Sequence, residues 1–383
     1  MTSADVPATM WAMRLTRPRA VAERPLEAVE IPVPTPGPGE VLIEVSACGV
    51  CRTDLHILEG ELPPHRSPVV PGHQIVGRVV GFGEGAQAHG PGGEPSAPPL
   101  ELGERVGIPW LHKTDETCRF CRGDRENLCE GATFTGWDVD GGFAEYTVAP
   151  AGFVYRLPAG MDDLAAAPLL CAGIIGYRCL RLVGIVGDDA GLPGAAAAAG
   201  GGAAAAPRPE PRGVEGVVRR LGLYGFGSAA HLCLQVARWR GWEVYAFTRG
   251  DEHRSLALEL GAAWGGETSE DPGVPLDAAI VFAPAGELAV DALRRLEKGG
   301  IVALGGIYST PIPPIEYPWL YHERVVRSVA NSTRRDAREL LRDAVVVPVR
   351  SRVQVYELEQ ANEALLDLKE DRVRGSAVLR VRA

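Results

Sequence analysis

Apolar side chains in the first part of the chain occur in short runs that Gly and Pro residues separate. Four such runs lie at residues 41–45, 75–80, 105–108 and 143–148. Short runs of this kind between turn-forming residues are typical of strands, and strands joined by tight turns pair in antiparallel fashion. We therefore expect this part of the chain to form a β-domain of short antiparallel strands.

From residue 221 onward the hydrophobic pattern changes. Apolar runs predict strands at 221–224, 243–248, 277–282 and 300–304. Helical periodicity predicts helices between them at 229–239, 255–260 and 287–297. Strands that alternate with helices are typical of βαβ units around a parallel sheet. The chain closes with an amphipathic segment at 358–368 and a strand at 376–381, so the predicted class is α/β plus β.

Two Gly- and Pro-rich stretches interrupt these patterns. Residues 83–102 are predicted to form a surface loop, and residues 184–213 include the run Gly-Ala-Ala-Ala-Ala-Ala-Gly-Gly-Gly. Alanine favours helix, but the flanking Gly and Pro residues oppose it and the run has no apolar face to bury. We expect residues 184–213 to be a disordered surface insertion and assign it no chemistry.

Composition and charge restrict the class of protein. The chain has 383 residues, 46% hydrophobic and 23% charged, with a net charge of -10. These values are typical of a globular protein with two or three domains. The acidic balance argues against a nucleic-acid partner, and no apolar run reaches the roughly 18 residues of a membrane span. Residues 1–13 resemble no secretory or transit signal, so a cytoplasmic location is expected.

A cluster of cysteines predicts a metal site. Cys118 and Cys121 stand three residues apart, and Cys129 follows. Structural zinc prefers four tetrahedral ligands of this kind, but no fourth cysteine lies nearby. Asp115 precedes Cys118 by the same spacing, and its carboxylate can bind zinc. The sequence thus predicts a structural zinc site at Asp115, Cys118, Cys121 and Cys129, with Glu116 as the alternative fourth ligand.

Three further candidate ligands are dispersed: Cys51 in Cys-Gly-Val-Cys-Arg-Thr-Asp-Leu-His, His73 in Val-Pro-Gly-His-Gln, and Cys171 in Ala-Pro-Leu-Leu-Cys-Ala-Gly. Each alone suits a buried structural residue. Together with the Cys118 cluster between them, the segments resemble the zinc-dependent medium-chain alcohol dehydrogenases in order and spacing over nearly the whole chain. The resemblance implies a catalytic zinc held by Cys51, His73 and Cys171.

The resemblance also implies a mechanism. Zinc acts as a Lewis acid that stabilises the substrate alkoxide. The Thr53 hydroxyl accepts the alcohol proton and passes it through the cofactor ribose to His56, whose imidazole suits release to solvent. Asp54 accepts a hydrogen bond from the second ring nitrogen of His73. One departure stands beside the metal, because Gln74 occupies a position where the family usually has Glu.

The nucleotide site is predicted from Gly225-Phe-Gly227-Ser-Ala-Ala230, which follows a predicted strand and opens a helix. Glycines there allow a tight turn and a close approach of the pyrophosphate to the helix N-terminus. Family resemblance places Arg52 at the pyrophosphate. It also puts Ile175 where the family often has a Thr that touches the nicotinamide.

The residues after the second strand of the parallel sheet select between NAD and NADP. This chain has Thr248 and Arg249 there, and both suit a 2′-phosphate, for which Arg offers a planar fork. The sequence therefore favours NADP over NAD. Asp251 and Glu252 lie slightly later and would serve NAD if the loop turned back toward the ribose.

The implied architecture is a GroES-like catalytic domain at 1–175, a Rossmann domain at 176–322 and a return to the catalytic domain at 323–383. It implies two zinc ions per chain, a small alcohol or aldehyde substrate and a homodimer or homotetramer. Trp110 and Leu62 are candidate apolar walls of the substrate pocket. The alternatives are a polyol dehydrogenase, a quinone reductase of the same superfamily, or a zinc- and nucleotide-binding module without turnover.

Overall fold

A computed structural model gives the fold of residues 6–88, 90–94, 96–187, 218–347 and 349–382. Its strands are β1 Thr9–Leu15, β2 Leu26–Pro32, β3 Glu40–Val50, β4 Gln74–Phe82, β5 Arg105–Ile108, β6 Leu111–Lys113, β7 Thr133–Phe134, β8 Tyr146–Pro150, β9 Tyr155–Arg156, β10 Arg220–Tyr224, β11 Glu243–Phe247, β12 Trp264–Gly266, β13 Leu276–Val281, β14 Leu296–Leu304, β15 Val325–Ser328, β16 Val353–Glu357 and β17 Ser376–Arg380. Its helices are α1 Arg52–Glu59, α2 Asp163–Ala166, α3 Ala172–Leu182, α4 Ser228–Trp239, α5 Asp251–Glu259, α6 Glu287–Arg294, α7 Tyr317–Leu320, α8 Arg334–Val346 and α9 Ala361–Lys369.

The chain divides into two compact units. The first comprises Met1–Ile174, Asn331–Val346 and Arg350–Ala383, and the second comprises Ile175–Ala330 and Val347–Val349. The return to the first unit begins at Asn331, later than the predicted residue 323. The reason is that β15, at Val325–Ser328, pairs with β14 and so extends the sheet of the second unit.

The first unit is built around a seven-stranded sheet with the order β16-β17-β3-β4-β5-β9, and β8 also pairs with β3. Its pairs are antiparallel, as predicted, except for the parallel pair β16 and β17. The long strand β3 is largely buried, and its side chains Val41, Ile43 and Val45 belong to the core of the unit.

The C-terminal segment completes this core. Helix α9 packs Ala361 and Leu365 into it, and strand β17 pairs with β3. Asn362 fixes the contact with the N-terminal part of the chain. Its side chain accepts a hydrogen bond from the Leu26 amide at 3.1 Å and donates one to the Leu26 carbonyl at 2.9 Å.

The second unit contains a six-stranded parallel sheet with the order β12-β11-β10-β13-β14-β15. With the strands counted from β10, this is the order 3-2-1-4-5-6 of a Rossmann fold. Buried side chains such as Tyr224, Phe247 and Val302 form its core. The predicted parallel sheet and its alternation with helices are confirmed, and β12 and β15 are edge strands that the sequence pattern did not reveal.

The first of the two Gly- and Pro-rich stretches contains short helical turns. Residues 83–102 contain two single-turn 3-10 helices, at Ala86–Ala88 and Pro91–Gly93, and no strand in their described part. The predicted insertion at 184–213 lies, from residue 188 onward, outside the described residues.

No single helix among the described residues is long and apolar enough to cross a membrane. Only the pair Asp163–Leu170 and Ala172–Leu182, bent by 45°, reaches the required length and composition together. Several of its apolar side chains, among them Leu169 and Leu180, are fully buried in the fold.

Candidate metal and cofactor sites

The structure brings Cys51, His73 and Cys171 together in the first unit, with their ligand atoms within 4.8 Å of one another. The Sγ atom of Cys51 lies 3.2 Å from Nε2 of His73. Cys51 follows β3, His73 directly precedes β4, and Cys171 precedes α3. Three segments far apart in sequence thus supply one sulfur, one nitrogen and a second sulfur to the same point.

Helix α1 begins at this cluster, and Cys51 is its N-terminal cap. The Cys51 sulfur accepts a hydrogen bond from the Thr53 amide at 3.3 Å, and the Asp54 carboxylate accepts one from the Cys51 amide at 2.9 Å. Such reciprocal capping satisfies amides that would otherwise lack partners at the helix start. The sequence Cys-Arg-Thr-Asp therefore fixes both the helix start and the position of the sulfur.

Asp54 and His73 form a fully buried pair. Nδ1 of His73 lies 3.2 Å from Oδ1 of Asp54, although the contact is not aligned as a hydrogen bond. The Gly72 amide donates to the same oxygen at 3.2 Å. Burial raises the pKa of Asp54. Burial lowers the pKa of His73, but the negative charges of Asp54 and Cys51 outweigh this effect and raise it to about 10.

The electrostatics of the cluster favour a cation. A hydrogen bond from Cys171 holds the pKa of Cys51 well below its usual value. A thiolate and the Asp54 carboxylate then share a buried site in which positive charge is stabilised. Two sulfurs and an imidazole are the donors that zinc prefers. The residues present therefore fit a zinc ion.

Gly72 allows His73 to reach this position. Its φ is +97°, and a Cβ there would lie 2.4 Å from Cδ1 of Phe143 and 2.9 Å from the Cys48 sulfur. Only glycine combines this left-handed conformation with such close packing. Gln74 is buried next to it, and its side chain lies over Gly49, so the residue that departs from the family pattern is packed within the β3–β4 pair.

An aromatic group adjoins the same cluster. The Trp110 ring meets the His73 ring edge-on at a centroid distance of 4.7 Å, and Phe134 stacks on Trp110 at 5.1 Å. Leu62 is partly buried against the surrounding core. The rings form an apolar surface beside the metal ligands.

Thr53 and His56 both lie on α1. Because they are three residues apart, they share one face of the helix. His56 is only 7% exposed, although release of a proton to solvent was expected of it. Its Nδ1 pairs instead with the carboxylate of Glu61, a residue that the sequence analysis missed because nothing local marks it as a partner.

A second cluster brings together Asp115, Cys118, Cys121 and Cys129, again within 4.8 Å. Oδ1 of Asp115 accepts hydrogen bonds from the amides of Cys118 and Thr117, each at 2.9 Å. These bonds hold the pKa of Asp115 well below its usual value, and its carboxylate is also within hydrogen-bonding reach of Cys129 and Cys121. Glu116, the alternative ligand, instead pairs with Arg334 at 2.7 Å.

The dinucleotide motif lies at the end of β10 in the second unit. Gly225 has a φ of +86°, and a Cβ there would lie 2.9 Å from Ala283. Gly227 precedes α4, and a Cβ at this position would meet no atom within 4 Å. Among the residues that the structure describes, no side-chain hydrogen bond caps α4 at Gly227, and Ala230 is buried on the helix. An uncapped helix N-terminus beside a Gly-rich turn is suited to a phosphate group.

The residues expected to select the cofactor follow β11. Thr248 is largely buried, and its hydroxyl donates to the Arg249 carbonyl at 3.3 Å. Arg249 is exposed, and within the described ranges it has no ion-pair partner. Asp251 pairs with Arg254, which also contacts Glu267 at 3.3 Å.

Arg52, the predicted pyrophosphate ligand, lies in the first unit and is half exposed. Its guanidinium is 4.0 Å from Asp371. An exposed pair at this distance is weak, so the guanidinium stays available for an anionic ligand. Ile175 lies on α3.

A GroES-like fold with a cysteine–histidine metal site, together with a Rossmann fold, defines a zinc-dependent dehydrogenase. The family model "Alcohol dehydrogenase GroES-like domain" matches residues 37–159. The chain is 45% identical over 380 residues to "Probable alcohol dehydrogenase AdhA" of Mycobacterium tuberculosis, covering 99% of both chains. It is 31% identical over 370 residues to an alcohol dehydrogenase of Geobacillus stearothermophilus, covering 94% of this chain and 97% of the relative.

The fold also matches a solved structure, an acetophenone reductase from Geotrichum candidum in complex with NAD. The TM-score is 0.79 at 24% identity, and 99% of each chain is covered. The chain belongs to the zinc-dependent medium-chain alcohol dehydrogenase family. It is an oxidoreductase that acts on the CH–OH group of small alcohols or on the corresponding carbonyl compounds, with zinc and a nicotinamide cofactor.

The contacts of Asp115 and Glu116 generate a test of the second metal site. We expect Asp115→Asn to lower the zinc content that the protein retains under mild chelation, because a neutral amide is a poor zinc ligand. The matched control Glu116→Gln, which loses only the pair with Arg334, should retain as much zinc as the parent. Elemental analysis measures the outcome. Equal zinc loss from both variants would contradict Asp115 as the ligand.

Proposed function

We propose that Cys51, His73 and Cys171 hold the catalytic zinc of this alcohol dehydrogenase. The observation that carries the proposal is the convergence of their three ligand atoms within 4.8 Å, beside a buried carboxylate. When bound, zinc supplies Lewis acidity to the substrate oxygen. Asp54 orients His73 and maintains the negative charge of the site, which supports metal affinity.

The residues on α1 carry the proton in this proposal. Thr53 lies two residues after Cys51, and its hydroxyl accepts the alcohol proton. His56 lies on the same helical face, and its imidazole receives the proton next. In carbonyl reduction the same groups deliver a proton to the oxygen of the product. A bound nicotinamide would supply the hydride acceptor in oxidation and the hydride donor in reduction.

The second metal site has a structural role in the proposal. Asp115, Cys118, Cys121 and Cys129 fill four positions, as structural zinc requires. The chain would therefore bind two zinc ions. Glu116 and Glu126 both contact Arg334 at the start of α8. A zinc ion that orders the loop around Cys118 would therefore also stabilise the position of α8, where the chain returns to the first unit.

NADP is the proposed cofactor. Gly225, Gly227 and Ala230 would form the pyrophosphate turn. Arg249, which is exposed and has no ion-pair partner in the described part of the chain, would bind the 2′-phosphate beside Thr248. The pair between Asp251 and Arg254 supports this choice, because a carboxylate engaged with a guanidinium is less available to a ribose hydroxyl.

The proposed substrate is an apolar primary or secondary alcohol, or its aldehyde or ketone. Trp110 and Phe134 present stacked rings next to His73, and flat apolar groups pack well on such a surface. The two cysteines and the histidine argue against the zinc-free quinone reductases. The neutral Gln74 is the feature that would favour a binding module without turnover.

A homodimer is proposed from the surface of the second unit. Apolar side chains between residues 307 and 325 are widely exposed, with Tyr317 at 70% and Tyr321 at 60%. They adjoin β15, the last strand of the sheet order. An open edge strand next to an apolar patch is a common site of association, and a two-fold axis would pair β15 with its copy.

The catalytic metal site is tested by Cys171→Ala. We expect turnover of benzaldehyde, followed by nicotinamide absorbance, to fall below detection, because the substrate-binding metal loses a ligand. The control Cys179→Ala removes a buried thiol from α3 and should keep activity. Both variants should retain the circular dichroism of the parent. Full activity in Cys171→Ala would overturn the assignment.

The cofactor choice is tested with Arg249→Ala. We expect the ratio of kcat/KM for NADPH to that for NADH to fall about tenfold or more, because a charged hydrogen bond to phosphate is lost. Arg254→Ala is the matched control, since its guanidinium already pairs with carboxylates. A parent enzyme that prefers NADH would refute the proposal and return Asp251 or Glu252 to the ribose.

The association surface is tested with Tyr317→Asp combined with Tyr321→Asp. Light scattering after gel filtration should give a dimeric mass for the parent and a monomeric mass for the double variant, because charges then lie on the apolar surface. The control Leu258→Asp, at an exposed position of α5 in the same unit, should leave the mass unchanged. A monomeric parent at micromolar concentration would contradict the proposal.

A further inference from the structure

His56 has little contact with solvent, although the proton it receives has to reach water. Its side chain is 9% exposed, and its Nδ1 pairs with Oε2 of Glu61, whose side chain is 45% exposed. The carboxylate therefore stands between a buried imidazole and bulk water.

The end of α1 holds Glu61 in this position. Gly60 ends the helix with a φ of +81°, a conformation that glycine adopts most readily. The Leu62 amide then donates to the His56 carbonyl at 3.1 Å. This turn directs the chain back over the last turn of α1, and Glu61 lies over His56 as a consequence.

The charged groups around α1 leave this carboxylate to His56. Glu59 is engaged by Lys369 of α9 and by the Val21 amide at 2.9 Å. Arg52 lies nearest Asp371, and Glu23 lies on the 3-10 helix packed against α1. Within the described residues, the Glu61 carboxylate forms its hydrogen bond and ion pair with His56.

We propose that Glu61 is the last protein group of the proton path, a positioning and relay residue that connects His56 to water. The inference rests on the proposed role of His56. In alcohol oxidation Nε2 of His56 accepts the proton, Nδ1 gives its own proton to the Glu61 carboxylate, and the carboxylic acid then gives that proton to water. The hydride goes to the nicotinamide, so the substrate loses two electrons and two hydrogens. Carbonyl reduction reverses each step.

The experiment follows proton release in a single turnover of alcohol oxidation, by stopped flow with a pH indicator in weak buffer. We expect Glu61→Gln to slow proton release about tenfold or more, because the amide keeps the shape of the side chain but accepts no proton. KM for the alcohol should stay unchanged. Glu61→Asp retains a carboxylate and should recover part of the rate, as should added imidazole buffer with Glu61→Gln.

The matched control is Glu23→Gln, which removes an equal charge from an element packed against α1. It should release protons at the parent rate. Parent-like release in Glu61→Gln would overturn the inference, and so would equal slowing in Glu61→Asp and Glu61→Gln without recovery by imidazole. Failure of the proposed function is distinguishable, because the parent enzyme itself would then form no reduced cofactor from any alcohol.

Discussion

The candidate active site depends on the buried carboxylate of Asp54. It accepts hydrogen bonds from the Cys51 amide at the start of α1 and from the Gly72 amide before β4, and it contacts Nδ1 of His73. A carboxylate without solvent is unfavourable unless such donors surround it. Asp54 thereby joins the start of α1 to the segment before β4. These two segments carry Cys51 and His73, two of the proposed metal ligands.

The same segment of chain connects chemistry to stability. Helix α1 begins after the proposed metal ligand Cys51 and ends at Gly60. One helix of eight residues thus carries both residues of the proposed proton path, Thr53 and His56, and leads into the turn with Glu61. Its outer side packs against α9, which arrives from the C-terminal part of the chain and is anchored through Asn362 to Leu26. Loss of order at the C-terminal segment would therefore reach the site through packing.

Local patterns predicted much of the fold, and their failures have physical causes. The four inner strands of the six-stranded parallel sheet and helix α4 were predicted, because buried strands and helices have strong hydrophobic patterns. The edge strand β15 was missed because its side chains are mostly exposed, as its burial pattern shows. Helix α1 was missed as an element because its capping group is a cysteine, whereas the usual helix-start signal is Ser, Thr, Asp or Asn.

The site residues divide in the same way. Spacing of a few residues within one turn pointed to Cys118 and Cys121, and a Gly-rich turn between strand and helix pointed to Gly225 and Gly227. His56 was expected to meet solvent, because exposure is not encoded in a single residue type. Spacing favoured Asp115 over Glu116 as the fourth ligand but left Glu116 as an alternative. The tertiary structure separates them, because Asp115 lies with the three cysteines whereas Glu116 pairs with Arg334.

The sequence by itself determined the nucleotide turn, the candidate ligands around Cys118 and the two classes of sheet, since these follow from residue type and short-range periodicity. Cys51, His73 and Cys171 were implied as ligands by the family resemblance. The tertiary structure decided which groups meet across long distances in the chain: Cys171 with Cys51, Asp54 with His73, and Asn362 with Leu26. It also decided that Glu61 covers His56 and that Asp251 is paired with Arg254. The reason is that burial and charge pairing are properties of the folded surroundings, which depend on packing between segments that no local pattern relates.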